Sequence, residues 1–175
     1  MSSVIVEQRS NVLHIGLNRP EKRNAFNVEM LEELGRAYGR LESDDNLRAG
    51  VLYAHGDNFT GGLDLAEVGP RLVEGSLDWP DDARNPWRND GRPWTKPVVA
   101  AAQGWCLTLG IELLLAADIQ IASADARFAQ RANREGERAA EDRFVDDVVA
   151  LFRTKDGAEG IQSFIERRQP RFLGA

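Results

Sequence analysis

Two glycine-bearing turns, each following an apolar run, carry the residues best suited to chemistry. The first is Gly61-Gly62-Leu63-Asp64-Leu65, downstream of Val51-Leu52-Tyr53-Ala54. The second is Gly104-Trp105-Cys106-Leu107-Thr108-Leu109-Gly110, downstream of the run from Pro97 to Ala102. Glycine lets a chain bend away from a sheet, which frees backbone N–H groups from the ladder. An N–H at the start of a helix is a donor reinforced by the helix dipole. Two such donors converging on one point would make an oxyanion hole. Glu112 follows Leu109 by three residues and is flanked by Ile111, Leu113, Leu114 and Leu115. A carboxylate in so apolar a setting must be paired, protonated or functional.

Plainer roles exist for each of these. A Gly-Gly turn after a strand can be purely structural, and a Glu in a first helical turn can serve only the dipole. His14 falls on the polar face of a strand and His55 at a strand end, which reads as solvated. Cys106 has nothing nearby in sequence to lower its pKa and reads as a small packed residue. The four tryptophans could line an acyl pocket or simply cover the core.

The elements that must position these residues follow from periodicity. Val4–Val6 and Val12–Leu17 read as a hairpin, with Leu13, Ile15 and Leu17 on its buried face. A polar loop, Asn18 to Asn24, leads to a helix with Asn27 as N-cap and Met30, Leu31, Leu34, Tyr38 and Leu41 on one face. An apolar strand at Val51–Ala54 precedes the first glycine turn, and a short helical pattern follows that turn. Residues 70–95 hold four prolines and three tryptophans and read as a long, mostly irregular excursion. A strand from Pro97 to Ala102, a helix at 109–117 and a strand at Ile119–Ala122 complete the pattern. Alternating strands and helices argue for an α/β arrangement with parallel strands.

At Arg131 the composition changes abruptly to a polar, charged stretch. Helical spacing returns with Phe144, Val148, Leu151 and Phe152, and again with Ile161, Phe164 and Ile165. We read residues 1–130 as a core and 131–175 as a C-terminal helical segment whose apolar faces need a partner surface.

The 175 residues match one ordinary domain. The balance of 22 basic and 28 acidic residues, a net −6, argues against nucleic-acid and anionic-membrane partners. One cysteine fits a reducing, cytoplasmic setting, and two histidines with it are too few for a zinc site. No signal-like segment is evident, and no apolar run approaches the roughly 18 residues of a membrane span.

The motifs, taken in order, resemble the crotonase superfamily, which includes enoyl-CoA hydratases and isomerases. Leu17-Asn18-Arg19-Pro20-Glu21-Lys22-Arg23-Asn24-Ala25-Phe26-Asn27 looks like the family's first CoA-contacting loop. Val51 to Leu65 is similar to the strand and turn bearing the first oxyanion donor. Lys96 to Asp118 is similar to the second donor loop and its helix, and Gly160 to Gly174 to the family's C-terminal end.

The resemblance implies an α/β, crotonase-like ββα-type core. It implies that the Leu63 and Leu109 N–H groups polarise a thioester carbonyl and that Glu112 is one of two catalytic glutamates. Ala25 would contact the CoA nucleotide, with Lys22 or Arg23 near its phosphates. Gly61, Gly62, Asp64, Leu65 and Gly110 would line the thioester site. The implied activity is hydration or isomerisation of an enoyl-CoA, with no cofactor beyond the coenzyme A of the substrate, no metal, and a trimer-based homo-oligomer. An acyl-CoA-binding pseudoenzyme and a non-catalytic assembly subunit are the competing readings.

Two departures stand out. Thr108 and Leu109 occupy positions where many relatives have glycines. After Phe128-Ala129-Gln130 the family pattern continues with a second glutamate and a Gly-rich loop, whereas Arg131-Ala132-Asn133 follows here. Roughly 70–80 residues of that pattern are missing, and a break in the chain between Gln130 and Arg131 is expected.

Overall fold

A computed structural model of the chain describes residues 2–74, 79–88, 92–130, 168, 169 and 171. Chain packing separates Met1–Arg131 from Ala132–Ala175. The expected tail helices and the junction at Arg131 fall outside the described residues.

The first unit is built on a five-stranded sheet. Strands β1 (Val4–Arg9) and β2 (Val12–Leu17) form an antiparallel hairpin, turned at Ser10 with a φ of 53°. Strand β3 (Ala49–Ala54) pairs in parallel with β2, strand β4 (Val98–Ala102) with β3, and the edge strand at Ile119–Ala122 with β4. Helix α1 (Val28–Ser43) connects β2 to β3, and α2 (Leu65–Glu74) follows the first glycine turn. The hydrophobic core gathers the inward residues Leu13, Ile15, Leu17, Leu52, Val98 and Ala100 with Met30, Leu34, Tyr38 and Leu41 of α1. This is the alternation expected of strands with one buried face. Asn27 caps α1 as its residue type suggests, its Oδ1 accepting from the Met30 N–H at 3.0 Å.

A second, two-stranded parallel sheet pairs β5 (Trp105–Leu107) with a strand at Arg127–Ala129. Neither strand has the length to show a periodicity; the sequence reading puts the first within a glycine-bearing turn and assigns no element to the second. Between them lie α3 (Leu109–Ala116) and the edge strand, labelled β6; the last strand is β7.

The described part of the stretch after residue 70 is irregular once α2 ends, as its composition suggests, yet it is packed against the core. Helix α2 runs through Glu74, and residues 79–88 lie against α1. Two glycines of that helix make the contact. A Cβ on Gly35 would stand 2.8 Å from the Trp79 ring, and one on Gly39 would collide with the Asp82 carbonyl. A helix-interior glycine costs about 1 kcal/mol relative to alanine; here it admits a close approach of backbone to helix. The Arg84 N–H donates to the Gly35 carbonyl at 2.9 Å across the same contact.

Among the described residues no helix is long and apolar enough to cross a membrane. Leu115, Ile119, Ile121 and Phe128 are exposed on α3, β6 and β7.

Candidate active site

The two glycine turns are stitched together by backbone hydrogen bonds. Thr60 N donates to the Trp105 carbonyl at 3.1 Å, and Leu107 N to the Thr60 carbonyl at 3.0 Å. One residue on, Gly61 N donates to the Arg23 carbonyl at 2.7 Å, and Gly62 N to Thr60 Oγ1 at 3.1 Å. The strip from Thr60 to Asp64 thus runs between the loop around Arg23 on one side and β5 on the other.

Leu63 sits in this strip opposite Phe26. Phe26 N donates to the Gly62 carbonyl at 2.8 Å, and its carbonyl accepts from Asp64 N at 2.9 Å. In such a parallel bridge the residue between the two bonds directs its own N–H away from the partner. Among the described residues the Leu63 N–H has no acceptor. Leu109 is the first residue of α3, so its N–H has none within the helix, and none is found elsewhere among the described residues.

The residues preceding these two amides touch. A Cβ on Gly62 would stand 2.6 Å from Thr108 Oγ1. Both residues have positive φ, 93° for Gly62 and 48° for Thr108. Glycine accepts such a conformation freely, whereas a β-branched residue there is strained by about 1–3 kcal/mol. Gly110 is also fixed by packing, since a Cβ would overlap Thr60 Cγ2 and press on Cys106 Sγ at 3.1 Å. Cys106 is fully buried, and burial pushes its thiol up to about 12, the inert packed residue its sequence setting suggests.

Asp64 and Arg19 clamp the first turn. Arg19 Nη1 donates to Asp64 Oδ2 and to the Ala25 carbonyl, both at 2.9 Å, and Nη2 to Glu67 at 2.8 Å. The Arg19 side chain is 13% exposed and that of Asp64 18%. The hydrogen bond from Arg19 holds the Asp64 carboxyl below its ordinary value. The Asp64 carbonyl also accepts from Glu67 N and Val68 N, which starts α2 at Leu65; the Leu65 side chain itself is exposed.

Asn24 holds the loop from within. It is fully buried with a φ of 52°, and its amide donates to the carbonyls of His55 at 2.9 Å and Asn58 at 2.8 Å. Its Oδ1 accepts from Arg19 N at 2.7 Å, and its carbonyl from Thr60 Oγ1 at 2.7 Å. The sequence reading passes over Asn24, Arg19 and Thr60 as site-building residues. The available signal is an Asn at the end of a Pro-containing loop, a type that tolerates the left-handed conformation. Lys22 and Arg23 are exposed beyond this hub without an ion-pair partner among the described residues, and Ala25 is half-buried. A surface cavity of about 300 Å³, lined by Ser3, Asn18, Arg19, Pro20, Glu21, Asn27 and Glu29, opens beside Arg19 and includes no residue of the two glycine turns.

Two expectations need correction. Glu112 is exposed, although its sequence neighbours are apolar. Helix α3 buries Leu109, Gly110, Leu113 and Leu114 and turns Glu112 and Leu115 outward. His55 is not freely solvated: its ring meets Tyr53 edge-on at 5.2 Å, and Nε2 is buried without a partner. Gly16 makes this burial sterically feasible, because a Cβ there would stand 2.8 Å from His55 Nε2.

With this geometry in view, comparison with known proteins is decisive. The enoyl-CoA hydratase/isomerase family model matches residues 7–140. The chain belongs to the enoyl-CoA hydratase/isomerase family. It is 35% identical over 136 residues to the mitochondrial Delta(3,5)-Delta(2,4)-dienoyl-CoA isomerase of Mus musculus, a match covering 71% of this chain and 41% of the relative. It is 34% identical over 128 residues to an enoyl-CoA hydratase of Mycobacterium tuberculosis, covering 71% and 47%. The chain therefore spans less than half the length of these curated relatives. The crystal structure of a probable enoyl-CoA hydratase/isomerase from Mycobacterium abscessus superposes with a TM-score of 0.71 at 33% identity, covering 99% of each chain. The fold is the α/β crotonase fold of this family.

Proposed function

We propose that this family member binds an acyl-CoA thioester with its carbonyl oxygen between the Leu63 and Leu109 N–H groups. The observation that carries the reading is the contact of Gly62 with Thr108, which brings together two turns whose next amides lack acceptors among the described residues. Removing a proton beside a thioester carbonyl, or adding water to its conjugated double bond, places negative charge on that oxygen. Each fixed donor aimed at the charge is worth about 3 kcal/mol. Lys22 and Arg23 supply exposed positive charge for the phosphates, and Ala25 lies on the same loop for the nucleotide. Gly61, Gly62, Asp64, Leu65 and Gly110 shape and fix the walls. No cofactor beyond coenzyme A enters this chemistry.

Glu112 is the acid/base group of this reading. Its carboxylate takes the proton from one carbon and returns it to another in isomerisation, or activates the water in hydration. We place the reaction in the cytoplasm, in keeping with a single buried thiol, and in a trimer-based homo-oligomer, in keeping with the exposed Leu115, Ile119, Ile121 and Phe128.

The exposure of Glu112 favours a second reading, an acyl-CoA-binding protein without turnover, since an exposed carboxylate lacks the enclosing walls that keep bulk water out of a proton-transfer site. Crotonyl-CoA hydration, followed by loss of the conjugated absorbance, separates the two. Hydration supports the enzyme; calorimetric binding of the thioester without hydration supports the binder. Failure to bind the thioester at all defeats both.

A further inference from the structure

The segment 79–88 contributes one side chain that reaches both donor turns. Trp87 Nε1 donates to the Leu109 carbonyl at 3.0 Å, at the residue whose N–H is the second donor. The same indole meets the Phe26 ring edge-on, centroids 6.2 Å apart and planes at 70°. The Phe26 backbone in turn holds Gly62 and Asp64, the two neighbours of Leu63.

Trp87 is itself well anchored. Its N–H donates to Asn85 Oδ1 at 2.9 Å, and Trp79 stacks on it at 6.0 Å with an interplanar angle of 35°. The segment is tied to α1 through Arg84 and Gly35, and Arg88 covers Trp94 at 4.0 Å. A rigid aromatic anchored in this way loses little conformational freedom when it fixes its neighbours.

We propose that Trp87 is a positioning residue that couples the two amide donors, holding Leu109 by a hydrogen bond and Leu63 through Phe26. It touches neither reacting atoms nor the carbonyl oxygen. Its effect is on the relative placement of the two N–H groups, and an oxyanion hole depends on that placement to within a fraction of an ångström. This proposal rests on the oxyanion reading above, so its test needs one arm that works without a ligand.

The variant Trp87→Phe removes the indole N–H that fixes the ring and shortens the face presented to Phe26 and Trp79, so both arms of the coupling loosen while an aromatic side chain still fills the site. The ligand arm uses 2,4-hexadienoyl-CoA, whose conjugated thioester absorbs at longer wavelength as its carbonyl is polarised. The variant is expected to lose at least half of the red shift seen on binding to the wild type, with affinity held within about threefold, because the nucleotide contacts lie elsewhere. An unchanged red shift overturns the proposal. The ligand-free arm measures amide order parameters, near 0.85 for rigid backbone. Those of Leu63 and Leu109 should fall together in Trp87→Phe, and a fall at Leu109 alone, or at neither, overturns the coupling. If the wild type binds no thioester, the proposed function fails and the order parameters decide the coupling by themselves. Trp87→Ala removes ring and N–H together and should broaden the loss to the whole strip from Thr60 to Asp64; Trp87→Phe carries the test should this variant not fold.

Discussion

The Thr108 hydroxyl stands where a Gly62 side chain would begin; each residue holds a positive φ and is followed directly by an amide that lacks an acceptor among the described residues. Their contact sets how close the two turns can come. Any side chain at Gly62 must displace the Thr108 hydroxyl or twist its own backbone.

Gly62→Ala is therefore expected to destabilise the fold by about 1–3 kcal/mol, from a Cβ at positive φ and a 2.6 Å approach to Thr108 Oγ1. Thr108→Gly should relieve the strain of its own φ and raise the urea midpoint by the equivalent of about 1 kcal/mol. The double variant should be better than the sum of the two, with a coupling of about 0.5–3 kcal/mol. Strict additivity would show that the two residues do not press on each other.

Gly110→Ala should cost about 1–3 kcal/mol, because the added methyl overlaps Thr60 Cγ2 in a packed site. Thr60→Ser removes that methyl, keeps the hydroxyl on Asn24, and should recover part of the loss. Denaturant melts of the single and double variants read this out directly.

The Arg19–Asp64 pair predicts a pH signature. Asp64 has a folded pKa below the unfolded value of about 3.9, so the unfolded chain binds its proton first as the pH drops. The pair's contribution is complete above the unfolded value and fades as pH falls through the folded one. Arg19→Gln should accordingly lower the melting temperature at pH 7, with the difference from wild type shrinking toward pH 3. A difference that stays constant over that range would assign the effect to packing alone.

Glu112→Gln keeps the shape of the side chain and removes proton transfer. Any hydratase or isomerase rate should fall about 10²–10⁴-fold while thioester affinity stays nearly unchanged. Full activity in this variant would return Glu112 to the role of a surface helix residue.

The long elements of the core were legible because their periods were. The α1 face and the alternation of β2 follow from spacing alone, and both glycine turns could be located from glycines at strand ends. Burial of individual polar groups was not legible. Glu112 has apolar neighbours in sequence, yet the exposed face of an eight-residue helix decides its environment. Asn24 and Arg19 act through partners 31 to 48 residues away, which no local pattern encodes. Three-residue strands such as β5 and β7 exist because a neighbouring backbone supplies their hydrogen bonds. Trp87 belongs to the same class, since only the fold reveals that one indole of a tryptophan-rich stretch reaches two turns.

The sealed position of Cys106 makes the protein its own clock. The single thiol lies under Gly110, in the strand that Thr60 pairs with, where no thiol reagent can reach it in the closed state. Modification must wait for that strand to part from Thr60. At saturating reagent the labelling rate equals the opening rate of the turn itself, and at low reagent it reports how much of the population stands open. Every substitution around the two amides can thus be timed through one native atom, with no dye or tag introduced into the site.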